Sequence, residues 1–136
     1  MKVIVCLDNH EGLLFNHRRQ AKDRLVIADI IKEVGRKDLY LSPYSKNLFV
    51  KESLSLQVSA DFLLKAGTND YCFVEDQRLL PFKDSINTLI IYHWNRDYPS
   101  DFYLDYNAAL RRPSTSSSYD FPGYSHERIT KEILHF

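Results

Sequence analysis

Apolar runs separated by short polar turns divide the chain into alternating strand and helix candidates. Residues 3–7 form an unbroken apolar run rich in β-branched side chains, which is typical of a strand covered on both faces. Similar runs at residues 71–74 and 86–92 predict two further central strands, and residues 38–41 predict a fourth strand. Strands that alternate with helical segments in this way predict an α/β sheet.

Three helices are predicted between these strands. Apolar residues recur at helical spacing over residues 22–34, and Gly35 follows at the position of a C-terminal cap. A serine–proline pair at positions 42–43 predicts the start of a helix over residues 44–49, with the serine as N-cap. A third helix is predicted within residues 59–67, between a serine and a glycine.

The last third of the chain has a weaker pattern. Residues 102–106 predict a strand, and the polar, serine-rich stretch of residues 111–118 predicts an exposed, mobile loop. Residues 125–136 leave two alternatives open. Ile129 and Ile133 are four positions apart, as on one face of a helix, but the alternation around them also suits a strand.

Length and composition indicate a single α/β domain spanning residues 1–136. With 44% hydrophobic and 26% charged residues, the chain predicts a layered mixed sheet of five to seven strands with flanking helices. Eighteen basic and eighteen acidic residues give a formal charge of zero, which argues against a general attraction to nucleic acid or anionic membranes.

Targeting signals and cysteine usage favour a cytoplasmic protein. The first residues lack the pattern of a signal peptide, and no apolar run approaches the roughly 20 residues of a membrane helix. Cys6 and Cys72 both lie within apolar runs, so we expect them to be reduced, buried thiols.

One local basic cluster stands out between residues 17 and 24. It contains His17, Arg18, Arg19, Lys22 and Arg24. Arginine makes bidentate contacts to phosphate, and histidine titrates near neutral pH, so the cluster predicts a site for a small anionic or nucleotide ligand. An enzyme acting on a phosphate-containing substrate is an alternative, and a solvated loop followed by a helix start is the simpler explanation.

Further candidate ligand contacts are more scattered. Ser42, at a helix start, offers backbone N–H groups to an anion, although simple capping is its commoner role. Trp94 with Arg96 would suit a stacking surface in a single-stranded RNA-binding module, or would pack a strand end. Asp8 and Asp23 are candidates for a carboxylate site.

Recognisable catalytic and metal motifs are missing from the sequence. It contains no Gly-x-Ser-x-Gly, no phosphate-binding glycine loop and no His-Glu-x-x-His, and single histidines such as His93 and His126 only weakly suggest acid–base chemistry. No cysteine or histidine pair has zinc-ligand spacing, so we expect no stoichiometric zinc. No catalytic residue and no cofactor are predicted.

The order of segments from residue 70 to residue 105 resembles the second half of the dihydrofolate reductase fold. A strand ending at Val74 is followed by a segment with a Leu-Pro pair, a second strand and the acidic, aromatic Asp101-Phe102. That family has a Gly-Gly turn after the first of these strands, where this chain has Glu75-Asp76. The resemblance therefore implies a reduced reductase scaffold without the dinucleotide site.

Other candidate residues also have counterparts in this resemblance. Asp8 falls in the loop after the first strand, and Asp23 is the nearest match to the family's substrate carboxylate. Ser42 lies where the family has a glycine and a helix that holds cofactor phosphate, and this chain has no glycine there. The resemblance thus implies a binding or non-catalytic domain that does not bind NADPH.

The chain is also similar to a small bacterial family that is sometimes labelled ribonuclease Z. The similarity lies in five short stretches, at residues 3–6, 16–20, 70–75, 94–96 and 125–127. The label implies a two-zinc hydrolase with a His-x-His-x-Asp-His run. None of the five histidines here is within two residues of another, so the sequence predicts no such metal site.

Overall fold

A seven-stranded mixed sheet forms the centre of the molecule in the computed structural model, which describes residues 1–49, 53–106 and 111–136. The strands are β1 (Lys2–Leu7), β2 (Gly12–Phe15), β3 (Arg18–Arg19), β4 (Asp38–Leu41), β5 (Ser55–Val58), β6 (Tyr71–Phe73), β7 (Thr88–His93), β8 (Phe102–Tyr103), β9 (Thr115–Phe121) and β10 (Ile129–His135). The main sheet has the order β5-β4-β6-β1-β7-β10-β9, and β3-β2-β8 form a small second sheet.

Strand direction confirms the predicted mixed sheet. Strands β5, β4, β6, β1 and β7 are parallel, β10 runs antiparallel to β7, and β9 runs antiparallel to β10. The helices are α1 (Arg24–Val34) and α2 (Phe62–Lys65), and single 3-10 segments occur at Ser45–Leu48 and Leu80–Ser85. No helix in the described ranges is long and apolar enough to cross a membrane.

Strand β1 lies between two hydrophobic cores, as its unbroken apolar run predicts. Val3 and Val5 belong to one core, and Ile4 points to the other, where it joins Val26 and Ile30 of α1. All five of these side chains are buried. Because successive side chains of a strand point to opposite faces, a run that is apolar at every position suits a strand with cores on both sides.

Helix α1 confirms the helix predicted over residues 22–34 and its C-terminal cap at Gly35, and Asp23 caps its N-terminus. The Asp23 side chain accepts a hydrogen bond from the Leu25 N–H at 2.9 Å. Gly35 ends the helix with φ of 60° and donates its N–H to the Ile31 carbonyl at 3.0 Å. Left-handed backbone of this kind favours glycine, so the C-terminal boundary could be predicted from the sequence.

A buried lysine ties α1 to the sheet. The Lys131 ammonium of β10 lies 2.8 Å from an Asp29 carboxylate oxygen and 2.9 Å from a Glu33 oxygen. Burial opposes the charge of Lys131, but these two carboxylates outweigh it and raise the pKa of the lysine. The Tyr92 hydroxyl also donates to Asp29, at 2.6 Å. This network fixes the helix that carries Asp23 at its N-terminus.

The other two predicted helices are shorter than expected. The segment after Ser42 forms only the 3-10 turn Ser45–Leu48, because the buried Ser45 hydroxyl donates 2.7 Å away to Glu75 and draws the turn against the sheet. Part of the region that follows, residues 50–52, lies outside the described residues. Helix α2 begins at Phe62 and makes a single turn before Ala66 leaves helical geometry.

Near the C-terminus, the prediction of an exposed loop at residues 111–118 is wrong from Thr115 onward, where the chain is exposed as predicted but forms a strand. Residues from Thr115 onward form the edge strand β9, whose side chains are exposed from Thr115 to Asp120. An edge strand without a buried face has no alternating pattern, and backbone pairing with β10 holds it in place. Residues 129–135 are strand rather than helix, and the strand predicted at residues 102–106 is the two-residue β8.

Candidate functional site

The parallel strands β6, β1 and β7 end side by side, and their carboxyl ends define the candidate site. The register pairs Ile4 with Phe73 and Leu7 with His93. Ligands of open α/β sheets bind at the carboxyl ends of the strands. Here the residues just beyond these ends are Glu75, Asp8 and Trp94.

Residues 18–23 pass over these strand ends, and we refer to them as the crossing segment. Arg19 binds Glu75, Gln20 binds Asp8, and Asp23 binds the loop between β9 and β10. The cavity beneath the segment has a volume of only about 20 Å³. It is lined by Cys6, Leu13, Arg19, Gln20, Ala21, Lys22, Asp23, Val26, Ile27, Leu48, Phe73, Glu75 and Trp94. That volume is roughly the room that a single water molecule needs.

The Arg19–Glu75 ion pair is bidentate. Arg19 Nε lies 2.9 Å from Glu75 Oε2, and an Arg19 terminal nitrogen lies 2.9 Å from Oε1. The Ser45 hydroxyl also donates to Oε1, and the guanidinium lies 4.7 Å from the Tyr44 ring centre. The hydrogen bonds that Arg19 donates to Glu75 raise the pKa of Arg19. Both charges are therefore satisfied within the chain, and Arg19 faces inward instead of joining the exposed cluster.

Asp8 is buried and has no free carboxylate oxygen for a ligand. Its carboxylate accepts hydrogen bonds, 2.8–3.2 Å long, from groups in the loops around it. The donors are the N–H groups of His10, Gly12 and Tyr98, the Ser100 hydroxyl and the Gln20 amide. Burial opposes ionisation, but these hydrogen bonds outweigh it and lower the pKa of Asp8. Asp8 thus stabilises loops.

Asp23 is also fully occupied by its own chain. Its side chain has no exposed surface. Besides capping α1, it accepts the backbone N–H groups of Tyr124 and Ser125 at 2.9 and 2.8 Å, the Ser125 hydroxyl at 3.1 Å and His126 Nδ1 at 3.0 Å. Burial raises the pKa of the carboxyl, but the hydrogen bonds from Tyr124, His126 and Ser125 outweigh it and hold that pKa far below its usual range.

His126 connects Asp23 to two aromatic residues. Its Nε2 lies 2.8 Å from the Tyr98 hydroxyl, and its ring stacks on Trp94 with centroids 4.6 Å apart. Trp94 is only 4% exposed, so the structure does not support the hypothesis that its ring stacks on a nucleic-acid base. Arg96 is exposed and donates to the Ser125 carbonyl at 3.3 Å.

The exposed part of the basic cluster surrounds a tight hairpin turn. Asn16 and His17 connect β2 to β3 with φ angles of 51° and 62°. Arg18 and Lys22 are both exposed and border an open depression of about 360 Å³, together with Arg19, Ala21 and Tyr44. Arg24 lies apart from it, over the Tyr124 ring at 4.4 Å.

Ser42 does not join this depression. It is 3% exposed, and its hydroxyl oxygen accepts the Ser45 N–H at 3.3 Å while contacting the Ser45 hydroxyl. The predicted anion contact at Ser42 therefore has no support, because the turn that follows is too short and is buried against Glu75. Within the described residues, no three histidine, cysteine, aspartate or glutamate side chains are arranged to hold a metal ion. Cys6 and Cys72 are both free thiols.

This chain is similar to known proteins in its backbone and not in its sequence. No family model matches the sequence, and no curated protein matches it. Among solved structures, a dihydrofolate reductase from Enterococcus faecalis, complexed with NADP(H) and RAB-propyl, matches with a TM-score of 0.66. The match covers 98% of this chain and 94% of that chain, at 7% identity. The chain has the dihydrofolate reductase fold. At this identity the match shows the fold alone, and these comparisons contain no support for the ribonuclease Z label.

The fold brings together polar residues of the cavity that are far apart in the sequence. The sequence indicates Asp8, Arg19 and Asp23 as candidates, but it does not indicate that Asp8 binds Gln20, Tyr98 and Ser100. Asp23 and His126 are 103 positions apart, and Arg19 and Glu75 are 56 apart. No local sequence pattern indicates pairings over such distances. They could be expected only from the resemblance to a known fold, which indicates which strand ends lie side by side.

We expect Asp23→Asn to lower the free energy of unfolding by about 2–4 kcal/mol at pH 7, because an amide nitrogen would face backbone donors in a buried site. The pKa of Asp23 is lower in the folded state than in the unfolded state, so its contribution is complete above about pH 5 and declines as pH falls. The difference between wild type and variant, from urea unfolding, should therefore shrink between pH 6 and pH 3.

The exposed Asp84→Asn is the matched control, and it should change stability by less than about 0.5 kcal/mol at every pH. A difference for Asp23→Asn that is equally small, or that stays constant down to pH 3, would contradict the assignment.

Proposed function

We propose that the chain is a cytoplasmic, non-reductase domain that binds a small anionic ligand, such as a phosphate or a nucleotide, beside the hairpin turn. The observation that carries this proposal is a pair of cations without carboxylate partners. Within the described residues, neither Arg18 nor Lys22 forms an ion pair, although both border the depression next to Tyr44. Unpaired cations around a concave surface favour an anion.

The geometry of the turn adds independent support. A two-residue hairpin turn with two positive φ angles strongly favours glycine at its second position, and this chain has His17 there with φ of 62°. A bulky residue in left-handed backbone costs of order 1 kcal/mol, and such strain is concentrated at functional sites. An exposed histidine at this position, next to Arg18, is consistent with a contact to a ligand.

The interior of the site supports a non-reductase role. The crossing segment occupies the carboxyl ends of β6 and β1 and leaves about 20 Å³ beneath it. Glu75 and Asp76 stand where the family resemblance expects two glycines, and burial raises the pKa of Asp76. Two carboxyl side chains would oppose a pyrophosphate by their bulk, because glycine would leave that space open.

NADPH should therefore bind no more tightly than a simple phosphate does. In isothermal titration, we expect no binding with a Kd below about 100 µM that survives competition by millimolar phosphate, since any weak binding would use the exposed cations. The Enterococcus faecalis reductase is a suitable positive control. Micromolar binding of NADPH that phosphate does not displace would restore the reductase hypothesis.

Phosphate itself should stabilise the folded protein by mass action, by about 1–3 kcal/mol at saturation. The measurement is thermal unfolding in phosphate and in chloride at equal ionic strength. The double variant Arg18→Ala/Lys22→Ala should lose this gain and keep its ligand-free melting temperature within about 3 °C, because exposed side chains contribute little to stability. Arg19 is left unchanged, since it holds Glu75.

The matched control removes two exposed cations from the other end of α1. Arg36→Ala/Lys37→Ala has the same change in net charge and should keep the full phosphate effect. Two results would reject the anion site: equal melting of the wild type in phosphate and chloride, or an equal loss of the effect in both double variants, which would indicate only a general response to charge.

A further inference from the structure

Asp23, His126 and the half-buried Tyr98 form a hydrogen-bonded row. Asp23 Oδ2 lies 3.0 Å from His126 Nδ1, and His126 Nε2 lies 2.8 Å from the Tyr98 hydroxyl. Trp94 stacks on the imidazole and fixes the plane of the ring. The Tyr98 backbone is held as well, because its N–H donates to Asp8 at 3.2 Å.

The partners of His126 fix where its proton lies. The Asp23 carboxylate has a strongly lowered pKa and acts only as an acceptor, so His126 Nδ1 carries a hydrogen and donates it. In the tautomer that has its hydrogen on Nδ1, Nε2 is the acceptor and accepts the Tyr98 O–H. A hydroxyl whose proton points at an imidazole, itself oriented by a carboxylate, is the arrangement of an activated nucleophile.

Tyr98 is half-buried, and it borders a second depression of about 310 Å³. Its other lining residues are Phe15, Asn16, Arg18, Arg19, Gln20 and Pro99. Arg18 therefore lies on both the anion-binding depression and the surface next to Tyr98. The His126 side chain is only 3% exposed, so the base is shielded from water.

We propose that Tyr98 is a nucleophile, with His126 as its general base, and that its electrophile is a phosphate ester bound by Arg18. The Tyr98 oxygen forms a bond to phosphorus while the bond from phosphorus to the ester oxygen breaks. The Tyr98 proton moves to His126 Nε2 and then to the departing ester oxygen, which leaves as an alcohol. The phosphoryl group remains on Tyr98. The choice of electrophile rests on the proposed anion site, whereas the nucleophile rests on the hydrogen-bonded row alone.

An uncharged aryl sulfonyl fluoride tests the nucleophile without using the anion site. Tyr98 should be sulfonylated at least about tenfold faster than each of the exposed Tyr103, Tyr119 and Tyr124, as peptide mass spectrometry of a time course would show. Here the Tyr98 oxygen bonds to sulfur, fluoride leaves and His126 takes the proton.

His126→Asn keeps a donor toward Asp23 but removes the base at Nε2. Labelling of Tyr98 should then fall at least about tenfold, with unchanged labelling of the three exposed tyrosines as the sign of an intact fold. The nucleophile is overturned if Tyr98 reacts no faster than the exposed tyrosines, or if His126→Asn leaves its rate unchanged. Should the variant unfold, the wild-type ratio alone decides.

A second measurement uses 4-nitrophenyl phosphate and identifies the electrophile. We expect one phosphoryl group on the peptide that contains Tyr98, and its loss in Arg18→Ala, which should still react with the sulfonyl fluoride. Sulfonylation without phosphorylation, in a protein that binds phosphate, overturns the phosphate-ester assignment. A protein that does not bind phosphate rejects the proposed function instead, and sulfonylation then still decides the role of Tyr98.

Discussion

The bidentate ion pair between Arg19 and Glu75 connects the small hairpin sheet to the end of β6, and the position of the crossing segment depends on it. Glu75 is buried, and a buried carboxylate that lost its partner would cost several kcal/mol. Arg19 must therefore face inward. Its neighbours follow, because Gln20 then reaches Asp8 and Asp23 reaches the loop that contains His126. One short segment thus satisfies the polar groups at several strand ends.

The ion pair lies at the carboxyl end of β6 in a fold that this chain shares with a dihydrofolate reductase. A backbone match over 98% of the chain at 7% identity shows that the dihydrofolate reductase architecture does not depend on the residues of a reductase site. In this chain, the groups at the carboxyl ends of the strands bind each other. Arg18 and Lys22, which form no ion pair with any described residue, lie outside at the hairpin turn, where we propose that the ligand binds.

Much of the fold could be predicted because burial leaves a local pattern. The runs that became β1, β4, β6 and β7 are apolar at positions that the two cores require, and Gly35 marks the end of α1. Strand β9 could not be predicted, because its exposed side chains show no such pattern. In the site, the basic cluster could be predicted from the sequence. The inward orientation of the Arg19 side chain could not, because it depends on a partner 56 positions away.

A double-mutant cycle on Arg19→Ala and Glu75→Ala measures directly whether the Arg19–Glu75 ion pair holds the crossing segment in place. The free energy of unfolding of the wild type, both single variants and the double variant gives the coupling between the two side chains. The pair is bidentate, and the Arg19 and Glu75 side chains are only 22% and 10% exposed. We therefore expect a coupling free energy of about 2–3 kcal/mol, well above the roughly 0–1 kcal/mol of a surface ion pair. A coupling below about 0.5 kcal/mol would contradict it, because the crossing segment would then not be held by this ion pair.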